Sequence, residues 1–155
     1  MTAMNYLIKP DGWFMEAKAS EITGLTDALA KEYGTHLITG VELFLDMMDT
    51  SDVVVAHNIA FDRTVMRRAT FVYSELTGQP YRDPFEGKTM ICTMLGAMNT
   101  VQALPKRRGQ WKWPKLTECV KFFYNEELDG AHDALVDVRA CARVYYTLID
   151  EGILT

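Results

Sequence analysis

The chain has 155 residues, of which 48% are hydrophobic and 24% charged, and this composition predicts one ordinary globular domain over residues 1–155. Its formal charge of −5 gives no general reason to expect affinity for nucleic acid, since non-specific binding depends on Lys and Arg neutralising phosphates. The three cysteines show no metal-ligand spacing, and no window approaches the ~20 apolar residues of a membrane helix. We therefore expect a cytoplasmic protein with reduced cysteines and no membrane segment.

The first third of the chain is predicted to hold an extended segment and three short helices. Asn5–Lys9 alternates loosely and ends at a Pro-Asp-Gly turn, which predicts a strand end or a hairpin. Helices are predicted at 17–22 and 28–33, which glycines end and of which Thr26 with Asp27 can cap the second, and at 40–48 from the spacing of apolar residues. The β-branched run at 52–56 then indicates a strand that is covered on both faces, as in a parallel sheet.

The rest of the chain alternates strand and helix. A long helical pattern through Phe61, Val65 and Leu76 follows the first strand at once, which indicates an α/β layer arrangement. The further predicted elements are, in order, a loop at 77–87, a strand at 89–92, a helix capped by Thr93, a helix at 115–124 opened by Pro114, and a last helix at 133–149.

Polar side chains follow the first predicted strand at its carboxyl end. His57 and Asn58 come directly after it, and Asp62 lies in the first turn of the next helix. In open α/β sheets this end of a strand faces the ligand crevice, so a carboxylate here is placed to hold a divalent cation. The alternative is that Asp62 only complements the helix dipole and Asn58 only shapes the turn.

A second polar segment opens the last predicted helix. His132 falls in or before its first turn, and Asp137 projects from the next turn, so an imidazole and a carboxylate can converge on one site. In phosphodiester hydrolysis, carboxylates position metal ions and histidine can take the proton of the attacking water. The alternative is a plain helix start, in which Asp133 serves the dipole and His132 is a surface residue.

The two segments together resemble a known family. The sequence His-Asn-Ile-Ala-Phe-Asp at 57–62 resembles the second motif of the DEDDh 3'-to-5' exonucleases, and His132 with Asp137 is similar to their third motif, His-x-x-x-x-Asp. Three further passages resemble that family and occur in the same order along the chain. They are Tyr6–Pro10, Ile22–Thr26 and the Ile-Cys-Thr at 91–93. The resemblance covers essentially the whole chain.

The resemblance implies a ribonuclease H-like fold, in which helices flank a mixed sheet. It implies that Asp62 and Asp137 bind metal, that His132 is the general base, and that Asn58 and Phe61 lie near the terminal nucleotide, with His57 close to the substrate. It further implies two Mg²⁺ or Mn²⁺ ions, which clamp the attacking and leaving oxygens. Asp133 matches a common position that is not catalytic.

One expected motif is absent from the sequence. Family members begin with a central strand that carries Asp-x-Glu, and no Asp-x-Glu precedes Tyr6; Asp11 and Glu16 have the wrong spacing. We therefore expect an α/β fold that lacks its N-terminal central strand, which leaves the strand at 53–56 with an unpaired edge. The favoured explanation is a polypeptide that starts late. A short protein that pairs with a second copy or with a partner chain, or that uses 13–15 for a reduced sheet, is the alternative.

A basic and aromatic stretch offers a possible substrate surface. Trp111 and Trp113 can stack on the bases of a single strand while Arg107 and Arg108 meet its phosphates. The alternative is a solvated run of charge whose tryptophans fold onto the core.

The leading functional hypothesis is a metal-dependent 3'-to-5' exonuclease that acts on a single-stranded DNA or RNA end. The alternative is a relative that binds nucleic acid or acts as a scaffold, and has lost catalysis.

Overall fold

The computed structural model describes residues 3–105 and 109–154. Their contacts divide the chain into two compact units: one takes in the chain up to Asp52 and Arg63–Lys88, the other Val53–Asp62 and the chain from Thr89 onward. The single domain over residues 1–155 stays a prediction. The described elements are α1 (Ala17–Thr23), α2 (Asp27–Tyr33), α3 (Leu37–Asp49), β1 (Val53–Ala56), α4 (Ile59–Thr77), β2 (Thr89–Cys92), α5 (Thr93–Val101), α6 (Leu116–Tyr124) and α7 (Ala134–Asp150).

The first unit is mainly helical, and local signals explain its elements. Thr26 caps α2 by accepting a hydrogen bond from a backbone N–H in the first turn, as threonine caps do. The rings of Phe44 in α3 and Phe85 lie 6.1 Å apart between centroids. Arg67 in α4 donates from Nε to Oδ1 of Asp83 at 3.1 Å. This ion pair fixes the loop that follows α4.

The N-terminal hairpin predicted from the sequence is wrong. Residues 3–16 form no strand, and Ile8 makes an isolated parallel bridge with Thr35 instead. Gly34 allows this close pairing, because a Cβ added there would lie 2.8 Å from the backbone nitrogen of Lys9 and 2.3 Å from the carbonyl oxygen of Ala30. The alternative of a reduced sheet built from 13–15 is not realised in this structure either.

The second unit contains the sheet and confirms both predicted strands. β1 and β2 pair in parallel, with Val53 opposite Thr89 and Ala56 opposite Cys92. α5 begins directly after β2, and α4 begins after β1 with two residues between them. This is the α/β arrangement expected from the sequence. Within the described residues, β1 has β2 as its one strand neighbour.

The core of the second unit lies between its helices. α5, α6 and α7 contact one another, and α7 also contacts β1. The buried residues that fill the space between them are Ala97, Cys119, Val120, Ala140, Val144 and Leu148. None of the helices in the described ranges has both the length and the apolarity that a membrane crossing requires.

Candidate active site

Two carboxylates and a histidine share one cavity in the second unit. The cavity has a volume of about 600 Å³ and borders β1 and α7. Asp62, Asp137 and His57 line it, and the rest of its wall is largely apolar, with Val55 and Tyr146 among the contributors. The structure therefore brings together the two aspartates that the sequence motifs single out.

The turn between β1 and α4 positions Asp62. Asn58 has a φ of +70°, a left-handed conformation that asparagine adopts more readily than most residues. Its carbonyl oxygen accepts from the N–H of Phe61 at 2.9 Å, which starts the helix. Asp62 then falls in the first turn of α4. The Phe61 side chain beside it is 65% exposed and is open to a ligand.

Asp137 is placed by the start of α7. Asp133 is the N-cap, and its Oδ1 accepts from the backbone N–H groups of Leu135 at 2.9 Å and Val136 at 3.1 Å. Asp133 therefore has a structural role as the cap of α7, and its assignment as a non-catalytic residue stays a prediction. Asp137 follows in the first turn, where the helix dipole favours a carboxylate.

His132 precedes Asp137 by five residues, but its side chain is exposed and is not among the described residues that line the cavity. Its φ is +79°, and its backbone N–H donates to Oδ1 of Asp137 at 3.4 Å. The contact between the two residues is therefore made through the backbone of His132. The general-base role of His132 stays a prediction.

His57 is the histidine at the cavity, and both of its ring nitrogens are engaged by the protein. Nδ1 lies 3.0 Å from Oγ1 of Thr93, and Nε2 lies 2.9 Å from the carbonyl oxygen of Pro114. Burial lowers the pKa of His57, although the Pro114 carbonyl, Asp137 and Asp62 oppose this shift. Burial thus favours the neutral imidazole, and contact of His57 with substrate stays a prediction.

The sequence did not reveal that His57 makes hydrogen bonds with Thr93 and Pro114. Thr93 was expected to cap α5, but it is the first residue of that helix and is fully buried. Pro114 was expected to open α6, but that helix begins at Leu116 behind Lys115. A signal for the first partner was present, because His57 and Thr93 each follow one of two parallel strands, and such ends meet at one edge of the sheet.

The electrostatics of the cavity favour a cation. Partial burial raises the pKa of Asp62, while a hydrogen bond within its own residue and the nearby His57 lower it. No Lys or Arg is among the described residues that line the cavity. Burial therefore disfavours the charged form of Asp62, and a divalent ion bound in the cavity would relieve that cost.

The donor set fits one hydrated ion better than two. Within residues 3–105 and 109–154, no group of three or more His, Cys, Asp or Glu side chains is arranged to hold a metal. Two carboxylates are nevertheless a common protein contribution to a Mg²⁺ site, where water and substrate phosphates complete the coordination. The pair Asp62 and Asp137 therefore suits a single Mg²⁺ or Mn²⁺, while a two-ion site needs further ligands.

The aromatic segment before α6 presents one tryptophan to solvent. Trp113 is 61% exposed, whereas Trp111 is half-buried and makes contacts within the protein. The segment is held from both sides, because Glu118 accepts from Nζ of Lys112 at 2.6 Å and from the backbone N–H of Lys115 at 2.7 Å. Lys112 is thus paired with Glu118.

The other half of the predicted substrate surface cannot be placed. Arg107 and Arg108 lie outside the described residues, so their contact with phosphates stays a prediction.

The fold is that of a known nuclease. The structure of E. coli Exonuclease I in complex with a dA16 oligonucleotide superposes with a TM-score of 0.67 at 18% sequence identity, and the match covers 93% of this chain and 34% of that chain. At this identity the likeness shows the fold alone. The chain thus spans about a third of the length of Exonuclease I, and its α/β fold is the ribonuclease H-like one expected from the motifs. A search of curated protein sequences gave no significant match.

The chain belongs to the exonuclease family of the RNase T type, whose profile matches residues 3–145. The match spans both motif segments, and it confirms the resemblance to the DEDD-type 3'-to-5' exonucleases that the sequence indicated.

Proposed function

We propose that this chain is a metal-dependent 3'-to-5' exonuclease that hydrolyses phosphodiester bonds at a single-stranded DNA or RNA 3' end. The observation that carries the proposal is that Asp62 and Asp137, one from each motif, line the same cavity in a chain of the exonuclease family. The dA16 oligonucleotide in the structure of E. coli Exonuclease I supports single-stranded DNA as a substrate.

Mg²⁺ or Mn²⁺ is the proposed cofactor, with Asp62 and Asp137 as its ligands. A bound ion supplies polarisation of the phosphate and a lowered pKa of its water. The two aspartates orient that ion within the cavity. His132, two residues before α7, is the proposed general base, since its side chain is exposed and its backbone N–H donates to Asp137.

The remaining residues are proposed to hold the substrate. Phe61 and Trp113 offer exposed aromatic faces for stacking on bases, and Asn58 and His57 sit at the turn that leads to Asp62. We also assign substrate contacts to Trp111, Arg107 and Arg108.

The direct test is nucleotide release from an oligonucleotide labelled at its 3' end. We expect release that depends on Mg²⁺ or Mn²⁺, stops with EDTA, and falls by at least roughly a hundredfold in Asp137→Asn. Asp133→Asn is the matched control, because asparagine caps a helix as well as aspartate does, and it should keep full activity. Activity that survives Asp137→Asn would refute the site.

A separate variant tests the base. His132→Asn should lower the rate of release while leaving Mn²⁺ affinity unchanged, since His132 is proposed to move a proton and not to bind metal. An equal loss of metal affinity would assign His132 to the ligand set instead.

A binding function without catalysis is the second candidate. It is favoured by the lack of a third ligating side chain beside the two aspartates within the described ranges. This candidate predicts that the protein binds single-stranded oligonucleotides equally well in Mg²⁺ and in EDTA and releases no nucleotide. Metal-dependent release by the isolated chain would exclude it.

We also propose that a further strand, from a partner chain and carrying carboxylates, pairs with β1. Parallel strands are normally covered on both faces and rarely form a sheet of two, and Val53 in β1 is exposed. Such a strand would add ligands beside Asp62 and Asp137. The test is the molar mass in solution by light scattering: full activity from a monomer at every concentration would contradict this proposal.

A further inference from the structure

His57 stands at the centre of a hydrogen-bonded chain that reaches three parts of the second unit. It follows β1, its Nδ1 meets Thr93 at the start of α5, and its Nε2 meets the carbonyl of Pro114 ahead of α6. Oγ1 of Thr93 in turn lies 3.6 Å from Sγ of Cys141 in α7. Four segments that are distant in sequence are thus joined through one imidazole and one hydroxyl.

The carbonyl of Pro114 sets the direction of the first hydrogen bond in this chain, and the other two follow from it for a neutral imidazole. A carbonyl oxygen only accepts, so Nε2 of His57 carries the hydrogen that is donated to Pro114. In a neutral imidazole Nδ1 is then an acceptor, and the Thr93 hydroxyl donates to it at 3.0 Å in preference to the carbonyl oxygen of Ala56, which lies 3.5 Å from Oγ1. The same hydroxyl is left to accept from the Cys141 thiol. The chain therefore runs from Cys141 through Thr93 and His57 to Pro114.

The ends of the chain lie next to the residues of the proposed site. Cys141 is one helical turn after Asp137 on α7, and both line the cavity. Pro114 directly follows the exposed Trp113. His57 itself precedes the turn that delivers Asp62 to the cavity. Movement of the imidazole would shift the carboxylates relative to each other and relative to the aromatic segment.

We propose that His57 is a positioning residue, which holds Asp62 in register with Asp137 through Thr93 and holds the Trp113 segment through Pro114. This inference rests on the proposed exonuclease function, and it gives His57 a role that needs no contact with substrate. The two ring nitrogens have separable tasks: Nδ1 serves the geometry of the carboxylates, and Nε2 serves the placement of the substrate-binding segment.

The tautomer tests the network without any variant or substrate. In the ¹⁵N-labelled protein at pH 7.5, we expect the His57 ring to show a protonated Nε2 and an unprotonated Nδ1. An Nδ1–H tautomer or a doubly protonated ring would overturn the network. Since this measurement uses no nuclease assay, its failure is distinguishable from failure of the proposed function.

Two substitutions at Thr93 separate hydrogen bonding from packing. Thr93→Val keeps the volume and removes the hydroxyl, and we expect it to lower kcat about tenfold by leaving Nδ1 without a donor. Thr93→Ser loses a methyl group and keeps the hydroxyl, and it should retain most of the wild-type kcat. A purely structural role predicts the reverse order, because Thr93 is fully buried and the smaller side chain leaves a cavity.

Two substitutions at His57 separate the tasks of its nitrogens. His57→Gln can still donate to Pro114, so it should keep KM for a single-stranded oligonucleotide and lose kcat. His57→Asn can still accept from Thr93, so it should keep kcat and raise KM. Equal effects of both variants on both constants would overturn the assignment, provided that thermal unfolding shows each variant to be folded.

Discussion

Asp62 in α4 and Asp137 in α7 line the same cavity, and each is delivered by the same kind of local structure. A residue with positive φ precedes each helix, Asn58 with +70° and His132 with +79°, and the aspartate follows in the first turn. The positive end of each helix dipole stabilises the carboxylate in its first turn. Two helix starts thus contribute one carboxylate each to the same cavity.

Replacement of Asp62 should stabilise the protein at neutral pH. Burial raises the pKa of Asp62 above its ordinary value of 3.8, so the folded state binds the proton more tightly than the unfolded state. This contribution to stability is fully present below pH 3.8 and is lost as the pH rises through the folded pKa. Asp62→Asn carries no such loss, so its unfolding temperature in EDTA should exceed that of the wild type at pH 7, with the difference shrinking toward pH 3.

Metal provides the control for that experiment. Mg²⁺ should raise the unfolding temperature of the wild type, because a ligand that binds the folded state stabilises it, and should leave Asp62→Asn unchanged. An Asp62→Asn protein that is less stable than the wild type at pH 7 in EDTA would contradict the electrostatic account.

Removal of Trp113 should weaken binding of single strands. Its indole is exposed, and Glu118 holds the backbone on either side of it through Lys112 and Lys115. Stacking of a base on the indole therefore costs little conformational entropy. Trp113→Ala should cost about 1–3 kcal/mol of binding free energy for a dA oligonucleotide in EDTA, measured by fluorescence anisotropy. Trp13→Ala, a similarly exposed tryptophan of the first unit, is the matched control and should have no effect.

Most elements of the fold were predictable because their signals are local. The strands at 53–56 and 89–92 and the helices α1 to α7 follow from apolar spacing, from the Thr26 cap and from the glycines after α1 and α2, signals that depend on neighbours within a few residues. The N-terminal segment was not predictable in this way. Ile8 pairs with Thr35 across two helices, and a local alternation of side chains carries no information about so distant a partner.

The carboxylates that line the cavity could be predicted from the sequence, but the contacts made by the two histidines could not. Motif order indicated Asp62 and Asp137, and both line the cavity. Which histidine faces the cavity depends on backbone conformation: the left-handed φ of His132 accompanies an exposed side chain, while His57 is held by Thr93 and Pro114. These partners come from separate segments, so spacing along the chain could not reveal them.

The helical core should be sensitive to loss of a single buried side chain. Leu148 in α7 is fully buried among the three helices of the second unit, and Leu148→Ala removes its packing and leaves a cavity. The free energy of unfolding in urea should fall by about 2–5 kcal/mol. Leu95→Ala makes the same change at an exposed position of α5, and a comparable loss there would contradict the assignment of the core.

The thiols should differ in reactivity in the native protein. Burial raises the pKa of Cys119 to about 12, with Glu118 and Cys141 adding to the shift, so the thiolate that reacts with iodoacetamide is scarce. We expect Cys119 to remain unlabelled at pH 8 while the half-buried Cys92 is labelled first, as followed by peptide mass spectrometry. All three cysteines should react in urea, and early labelling of native Cys119 would contradict its burial.

Asp62 and Asp137 are proposed to hold one cation between them, and this can be measured as Mn²⁺ binding by electron paramagnetic resonance. We expect one bound ion in the wild type, affinity lowered at least roughly tenfold in both Asp62→Asn and Asp137→Asn, and unchanged affinity in Asp133→Asn. Wild-type affinity in either of the first two variants would contradict it.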